Sequence, residues 1–396
     1  MKRFLWIIIF SLISFPILAQ IKRPILVDYN QIMTGDQQTK AYFPLLKGKN
    51  VALVINQSSV IGNTNLVDTL LDSGIKVIKI FSPEHGFRGD IGAGDMVTSG
   101  KDVKTGIPII SLYGKHTKPS ESDLKDVNVV VFDLQDVGVR FYTYTSTLAL
   151  VMEACAENHI PLILLDRPNP NGFYVDGPIL EKKYKSFVGM FPVPVVYGMT
   201  IGEYALMLNG EHWLKDSAHC DLQVIPLKNY THNLIVKLPI KPSPNLPDWE
   251  AVYLYPSLCF FEGTVISVGR GTSLPYQIFG HPDLQGKFKF TPKSTPGASL
   301  HPKLESKLCR GTNLTWYAKM YYKQPMQIHL DWLLKSYKRL SELHKPFFNS
   351  YFNYLAGNEI LQQQIKQGLS SRQIRQSWQK NLNEFKKIRS RYLLYP

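Results

Sequence analysis

A run of eight residues, VNVVVFDL at 127–134, constrains the fold of this chain more than any other stretch. It is apolar and β-branched almost throughout, which is typical of a strand that is buried on both faces. Comparable runs recur along the first part of the chain. They predict further strands at 51–55, 75–81, 107–112, 160–165, 193–196 and 222–227. Since helical patterns separate these runs, we expect an α/β fold with a parallel sheet covered on both sides.

The helices between these strands have recognisable starts and faces. Apolar residues at i, i+3, i+4 and i+7 predict a helix over 146–158, and a shorter one is predicted over 65–73. Thr200 and Glu203 form a capping-box pattern, so we expect a helix to begin after Thr200 and to run to about Leu208.

A proline-rich stretch interrupts the alternation. Five prolines fall between Pro239 and Pro256, and we place a domain boundary there, with one domain at 20–245 and a smaller α+β domain at 246–396. In the second domain, 264–268, 286–291 and 316–322 look like strands. Helices are predicted over 329–343, 351–367 and 371–389.

The N-terminus has the pattern of an export signal. Two basic residues, Lys2 and Arg3, precede an apolar stretch at 4–18, and Ala19–Gln20 is a plausible cleavage site. We therefore expect residues 1–19 to be a signal peptide and the protein to be periplasmic or secreted, without a membrane span after cleavage. A signal anchor is the alternative.

The formal net charge of +14 favours anionic surfaces, although the lysines and arginines alternatively only solvate the surface. No arginine-rich run points to nucleic acid. The four cysteines form no C-x-x-C pair, so a zinc knuckle is not expected. Cys155 is expected to be a buried free thiol, and a disulfide between two of the others remains open.

The loop FSPEHGFRGDIGAGD at 81–95 is the strongest candidate for a functional site. It follows a predicted strand, where ligands bind in open α/β sheets. Its glycines allow tight turns and close approach to a ligand. A carboxylate between Pro83 and His85 has no obvious capping role, so we predict that Glu84 does chemistry.

Polar clusters end four of the predicted strands, and in a parallel sheet all four lie along one rim. Hydrolysis of a glycoside needs an acid that protonates the leaving oxygen and commonly a second carboxylate that activates water or attacks. The candidates for these catalytic roles are Glu84, Asp133 and Asp136. The candidates for substrate binding on this rim are His85, Arg88, Tyr113, Arg140, Tyr142, Asp166, Arg167, Asn169 and Asn171.

Arginines and aromatic side chains suggest what the substrate carries. The guanidinium groups of Arg140, Arg167 and Arg270 match a carboxylate, and the tyrosines can stack on a sugar ring. Glu262 and Arg270, in EGTVISVGRGT, are the candidate contribution of the second domain. Each candidate has a structural alternative: Asp133 or Asp136 pairs with Arg140, His85 only orients Glu84, and Tyr142 belongs to the core.

Four motifs together resemble one bacterial family. They are SPEHGFRG at 82–89, VFDLQDVGVRFYTY at 131–144, LDRPNPNG at 165–172 and EGTVISVGRGT at 262–272. They are similar to those of the exo-β-N-acetylmuramidase NamZ family, glycoside hydrolase family 171, which was formerly a domain of unknown function. The likeness extends from about residue 50 to the C-terminus.

The resemblance implies a Rossmann-like N-terminal domain, a smaller C-terminal domain and an active cleft between them. It also implies release of N-acetylmuramic acid from the non-reducing end of peptidoglycan fragments, with Glu84 as the catalytic acid and no cofactor. The expected partners are peptidoglycan-derived saccharides. A retaining, inverting or substrate-assisted mechanism remains open.

Two other classes of function remain open at this point. One is a non-catalytic envelope protein that holds muropeptides in the same pocket. The other is a metal-assisted deacetylase that uses His85, Asp133 and Asp136. Product release separates the first class from a glycosidase, and a chelator test separates the second.

Overall fold

The structure is a computed structural model that describes residues 23–84, 86–87 and 99–396, and of Tyr322 only the backbone. The predicted signal peptide at 1–19 lies outside the described residues. Within them, no helix is both long enough and apolar enough to cross a membrane.

Strands and helices alternate through the first part of the chain. The strands are β1 (Ile25–Val27), β2 (Val51–Ile55), β3 (Val60–Ile61), β4 (Thr64–Asn65), β5 (Val77–Ser82), β6 (Gly100–Lys101), β7 (Pro108–Ser111), β8 (Val129–Asp133), β9 (Leu162–Leu165), β10 (Leu222–Ile225) and β11 (Leu234–Val236). The helices are α1 (Thr39–Leu46), α2 (Leu66–Asp72), α3 (Glu121–Leu124), α4 (Tyr144–Glu157), α5 (Ile201–Gly210) and α6 (Trp249–Leu258).

Seven of these strands form one sheet in the order β10-β9-β8-β2-β5-β7-β6. All its neighbouring strands are parallel except β6, which runs antiparallel to β7 at the edge. β1 and β11 pair separately, as do β3 and β4. The sheet is Rossmann-like and mostly parallel, and the predicted α/β fold class is confirmed.

The central strand β8 explains why its sequence is apolar throughout. Val130 and Phe132 pack with helices α4 and α5, whereas Val129 and Val131 pack with α1 and α2 on the opposite face. Because successive side chains of a strand point to opposite faces, both faces of the sheet must be covered by helices.

Most predicted elements of this part are found within a few residues of their expected bounds, but 193–196 is not a strand. Its backbone makes only isolated bridges, in which Val196 pairs with Val139 and Asp176. The capping box after Thr200 is confirmed, and it opens α5.

The C-terminal part is built around a small antiparallel sheet. Its strands β12 (Ile278–His281), β13 (Phe288–Phe290) and β14 (Cys309–Asn313) lie in the order β12-β14-β13. The helices that follow or flank it are α7 (Thr315–Lys319), α8 (Asp331–Glu342), α9 (Phe352–Ala356), α10 (Ile360–Lys366) and α11 (Ser371–Arg389).

Three predictions for this part are wrong. Residues 264–268 form isolated bridges only, and 316–322 are helical, with a 3-10 turn after α7. The single helix predicted over 351–367 is divided into α9 and α10, because Gly357 at the end of α9 adopts a left-handed conformation with φ of 80°.

The last residues return to the first part of the chain. Arg389 at the end of α11 donates to the carbonyl oxygen of Gly198, and the Tyr395 hydroxyl donates to Asp166 at 2.5 Å. The boundary at residue 245 stays a prediction. All four cysteines are buried free thiols, so the possible disulfide is not formed.

Candidate active site

A cavity of about 620 Å³ lies between the rim of the large sheet and the C-terminal part of the chain. Glu84 follows β5, Tyr113 follows β7, and Tyr142 and Thr143 belong to the connection from β8 to α4. Side chains from the C-terminal part complete the wall. Among these are Cys259, Glu262, Arg270, Tyr276, His301, Lys303 and Tyr351.

Glu84 is held at the cavity wall by the start of helix α4. The Thr143 hydroxyl, at the N-cap position, donates to Glu84 Oε2 at 2.7 Å. The Tyr144 hydroxyl donates to the backbone carbonyl of Glu84 at 3.3 Å. These two contacts fix the position of Glu84 beside the start of helix α4.

Tyr113 is the second rim residue in contact with Glu84. Burial, together with the charge of Glu84 and a hydrogen bond to it, raises the pKa of the Tyr113 phenol. The neutral hydroxyl of Tyr113 therefore stays available as a donor at physiological pH. Its ring lies 6.2 Å from that of Phe187, another residue of the cavity wall.

Glu262, Arg270 and Tyr276 form one hydrogen-bonded group. Arg270 Nε donates to Glu262 Oε1 at 2.6 Å, and Arg270 Nη2 donates to the Tyr276 hydroxyl at 2.8 Å. That hydroxyl donates in turn to Glu262 Oε1 at 2.9 Å. Burial raises the pKa of Glu262, but Arg270 and Lys303 outweigh it and hold this pKa below its ordinary value.

Lys303 places a second positive charge beside this group. Its ammonium donates to three backbone carbonyls: Phe261 at 3.0 Å, Glu262 at 3.2 Å and Thr264 at 2.5 Å. This side of the cavity thus carries an ionised carboxylate and two cations. An anionic substituent next to the polar groups of a sugar can be received by the remaining N–H groups of Arg270, whereas Lys303, whose three donors are in use, contributes only its charge.

The structure thus brings five of the predicted residues together in the cavity: Glu84, Tyr113, Tyr142, Glu262 and Arg270. His85 and Arg88 lie outside the described residues. The other seven predicted residues do not line this cavity; they are Asp133, Asp136, Arg140, Asp166, Arg167, Asn169 and Asn171.

Asp133 and Arg167 form a buried ion pair away from the cavity. Arg167 donates from Nε to Asp133 Oδ1 at 2.5 Å and from Nη2 to Oδ2 at 2.9 Å, and Nη2 also reaches Asp36 Oδ2 at 2.9 Å. Asp133 and Asp36 are fully buried. The carboxylate of Asp133 is matched to Arg167, so we correct its expected role, and that of Arg167, from substrate chemistry to internal packing.

Asp136 is enclosed in the connection between β8 and α4. Its Oδ2 accepts from the Tyr197 hydroxyl and from the backbone N–H of Gly138, the latter at 2.7 Å. Burial raises the pKa of Asp136 to about 6, against the lowering effect of these hydrogen bonds. Being 4% exposed and outside the cavity wall, it has a structural environment rather than that of a nucleophile.

The cluster after β9 also serves the fold. Asp166 accepts from the Thr200 hydroxyl at 2.7 Å and from the N–H of Gly202 at 2.8 Å, at the start of α5. Asn169 donates to the carbonyl of Met199, and Asn171 to that of Val137. All three are at most 2% exposed, so their expected contact with substrate is corrected to local bracing of loops.

Arg140 is a structural clamp rather than an anion site. It is 1% exposed, and its Nη1 and Nη2 donate to the carbonyl oxygens of Pro178, Val193, Leu355 and Ala356 at 2.7–2.9 Å. Burial lowers the pKa of Arg140 to about 9. Its expected role as a carboxylate partner is therefore corrected, and so is the idea that it pairs with Asp133 or Asp136.

Sequence reasoning missed several side chains of the cavity wall. Thr143 lies next to Tyr142 in the motif at 131–144, so this motif could have indicated that Thr143 belongs to the site. Tyr276, Lys303 and Tyr351 stand outside all four motifs and reach the cavity only through the packing of the C-terminal part.

A metal centre has little support in the part of the chain that is described. Among those residues, no group of three or more His, Cys, Asp or Glu side chains is arranged to hold a metal ion. The metal hypothesis also relied on His85, which lies outside them, and on Asp133, which is paired with Arg167.

The cavity at the rim of the Rossmann-like sheet offers two carboxylates, Glu84 and Glu262, and a pair of carboxylates is what hydrolysis of a glycoside commonly uses. Residues 51–250 match the family model described as "Exo-beta-N-acetylmuramidase NamZ, N-terminal", and residues 253–395 match the corresponding C-terminal model. The chain belongs to the exo-β-N-acetylmuramidase NamZ family and is a glycosidase. The resemblance read from the four motifs is confirmed.

Similar proteins support this assignment. The peptidoglycan β-N-acetylmuramidase NamZ of Bacillus subtilis (strain 168) is 40% identical over 390 residues, which is 92% of each chain. A crystal structure of a DUF1343 family protein from Bacteroides fragilis has a TM-score of 0.84 at 47% identity, and a second one has 0.76 at 27%. Each alignment covers 92% of this chain and 99% of the other.

Proposed function

We propose that this protein is an exo-acting muramidase that releases N-acetylmuramic acid from the non-reducing end of peptidoglycan fragments, with Glu84 as general acid. The observation that carries the proposal is the position of the Glu84 carboxylate. It lies on the wall of the cavity, at the rim of a parallel sheet, and accepts a hydrogen bond from Thr143. From this position it can donate a proton to the oxygen of the leaving sugar.

The opposite charges in the cavity suit a muramic acid substituent. N-acetylmuramic acid carries a lactyl carboxylate, and the positive charges of Arg270 and Lys303 favour such an anion. Glu262 stays ionised because its pKa is lowered by these cations, so it is not a proton donor at neutral pH. We assign to Glu262 the role of orienting Arg270 and of stabilising positive charge that develops on the sugar ring.

The role of Glu84 is tested with a defined MurNAc–GlcNAc disaccharide. Glu84→Gln keeps the size and removes the proton, so we expect kcat to fall by about 10²- to 10⁴-fold. Release of free N-acetylmuramic acid is followed by mass spectrometry. Glu121→Gln, an exposed carboxylate of α3, is the matched control and should behave as the wild type. Wild-type rates in Glu84→Gln contradict the assignment.

We also propose that the protein acts outside the cytoplasm. The proposal rests on the basic and apolar pattern of residues 1–19, and a substrate in the cell wall is consistent with it. N-terminal sequencing of the protein recovered from the periplasm or the medium checks it, with Gln20 as the expected first residue. Recovery of an uncleaved chain from the cytoplasm contradicts it.

A further inference from the structure

Two exposed tyrosines stand at the edge of the cavity. Tyr351 lines the cavity and is 41% exposed, and Tyr354 is 39% exposed and lies one turn further along. Their ring centroids are 6.4 Å apart, with an angle of 33° between the ring planes. Large exposed aromatic side chains that continue from a binding cavity are a common sign of a ligand surface.

Helix α9 begins directly after Tyr351 and contains Tyr354, and hydrogen bonds to distant residues hold both of its ends. Arg140 donates to the carbonyls of Leu355 and Ala356 at the end of α9. At its start, Asn349 accepts from the N–H of Tyr351 at 2.9 Å and donates to the carbonyl of Glu262 at 3.1 Å. The backbone that bears the two rings is therefore held in place relative to Glu262 and the cavity.

Close packing of the backbone at Gly263 against the start of α9 also holds this helix in place. A Cβ atom on Gly263 would lie 2.4 Å from Cα of Phe352, the first residue of α9, so only glycine allows this approach. Tyr184 supports Tyr354 from the side: their rings meet edge to face at 6.0 Å, and the Tyr184 hydroxyl donates to Glu359 at 3.0 Å. Phe352, Leu355 and Ala356 of this helix are buried in the core, so α9 is anchored on one side and presents Tyr354 on the other.

Tyr351 joins the two regions. Burial of its hydroxyl, with added effects of Cys259, Glu262 and Glu84, raises the pKa of this phenol. Tyr351 thus shares the cavity wall with Glu84 and Glu262, and its ring is also the neighbour of the Tyr354 ring. An exo-acting enzyme encloses the terminal sugar, and the rest of the glycan must leave through such an edge.

We propose that Tyr351 and Tyr354 form a stacking platform for the sugars on the leaving-group side of the cleaved bond. This inference rests on the function proposed above and adds to it a preference for glycan length. Tyr351 takes the pyranose next to the bond, and Tyr354 takes the following one. Apolar faces of pyranose rings pack against aromatic rings, which removes both from water.

The test compares a MurNAc–GlcNAc disaccharide with a tetrasaccharide of two such repeats. For the wild-type protein, kcat/KM is expected to be about fivefold to tenfold higher for the tetrasaccharide, the gain expected from one covered aromatic face. In Tyr354→Ala, kcat/KM should be about equal for the two substrates, whereas Tyr354→Phe, which keeps the ring, should retain the preference for the tetrasaccharide. Trp316→Ala is the matched control, because Trp316 is 70% exposed and outside the cavity wall.

Failure of the stacking platform and failure of the proposed function give different results in this experiment. Release of N-acetylmuramic acid without any length preference in the wild type, or a preference that survives in Tyr354→Ala, overturns the platform and leaves the proposed function intact. Absence of release from both substrates overturns the proposed function and the platform with it. Thermal unfolding of each variant checks that the fold is unchanged.

Discussion

At the scale of single residues, the two carboxylates of the cavity, Glu84 and Glu262, have different hydrogen-bond partners. Glu84 receives neutral hydroxyl donors, from Thr143 and Tyr113, whereas Glu262 is paired with Arg270 at 2.6 Å. Arg270 and Lys303 hold the pKa of Glu262 below its ordinary value, which makes Glu262 the weaker candidate for a proton donor. This ion pairing of Glu262 is the physical basis for assigning the acid role to Glu84.

Glu262→Gln tests the paired carboxylate. Removing a charge-assisted hydrogen bond of this kind is expected to lower kcat/KM on the disaccharide by about 10- to 100-fold, since Arg270 loses its orientation. The measurement is steady-state release of N-acetylmuramic acid at neutral pH.

The effect of Glu262→Gln on thermal stability is also expected to depend on pH. The pKa of Glu262 is lower in the folded protein than the ordinary 4.5, so the unfolded chain binds more protons between these two values. The stabilisation from Glu262 is present above pH 4.5 and is lost as the pH falls through the folded pKa. The difference in Tm between wild type and Glu262→Gln should therefore narrow in acid, and a constant difference argues against the ionised pair.

At the scale of elements, α9 depends on a residue far away in sequence. Arg140 lies 215 residues before Leu355, to whose carbonyl it donates, and it also holds the carbonyls of Pro178 and Val193. The left-handed Gly357 is required beside it, since a Cβ there would lie 2.6 Å from Arg140 Nη2. The clamp thus joins the rim of the large sheet to the helix at the cavity edge.

Arg140→Met tests the clamp. The methionine fills much of the space but leaves buried carbonyl groups without donors, each of which costs about 1–3 kcal/mol. We expect the free energy of unfolding to fall by about 3 kcal/mol or more, measured by urea denaturation. Arg372→Met, at an exposed position of α11, is the control and should change it by less than about 0.5 kcal/mol. A neutral effect of Arg140→Met contradicts the clamp.

At the scale of the whole molecule, the C-terminal residues fasten the two parts of the chain together. The Tyr395 hydroxyl donates to Asp166 at 2.5 Å and accepts from the N–H of Leu227 at 2.9 Å. The N–H of Leu394 donates to the carboxylate of Glu203, and the carbonyl of Pro396 accepts from the N–H of His232. Because these contacts join the last residues to the first part of the chain, we expect both parts to unfold in one transition.

Tyr395→Phe tests this coupling. The variant removes one hydroxyl, so the buried Asp166 loses a hydrogen-bond donor and the buried N–H of Leu227 loses its acceptor. We therefore expect the free energy of unfolding to fall by about 2–3 kcal/mol. Tyr392→Phe removes a less buried hydroxyl that bonds to Glu211, and its effect should stay within about 1 kcal/mol. Equal Tm values for Tyr395→Phe and the wild type contradict the prediction.

The pattern of strands and the rim position of the site follow from local chemistry. Strand β8 is apolar on both faces, so its sequence reveals a covered parallel sheet before any contact is known. The loop after β5 carries a carboxylate for which the sequence offers no capping role, and this singled out Glu84. Local patterns are informative here because side-chain periodicity and loop chemistry act over a few residues.

Which charged residues face the cavity was decided only by the tertiary structure. Asp133, Asp166 and Arg167 share the rim with Glu84 in sequence terms, yet Asp133 and Arg167 satisfy each other and Asp166 caps α5. A polar side chain at a strand end serves the fold or the ligand according to which partner reaches it, and those partners come from distant segments. Tyr276 and Tyr351 show the converse, because they carry no local signal and reach the cavity only when the C-terminal part packs against the sheet.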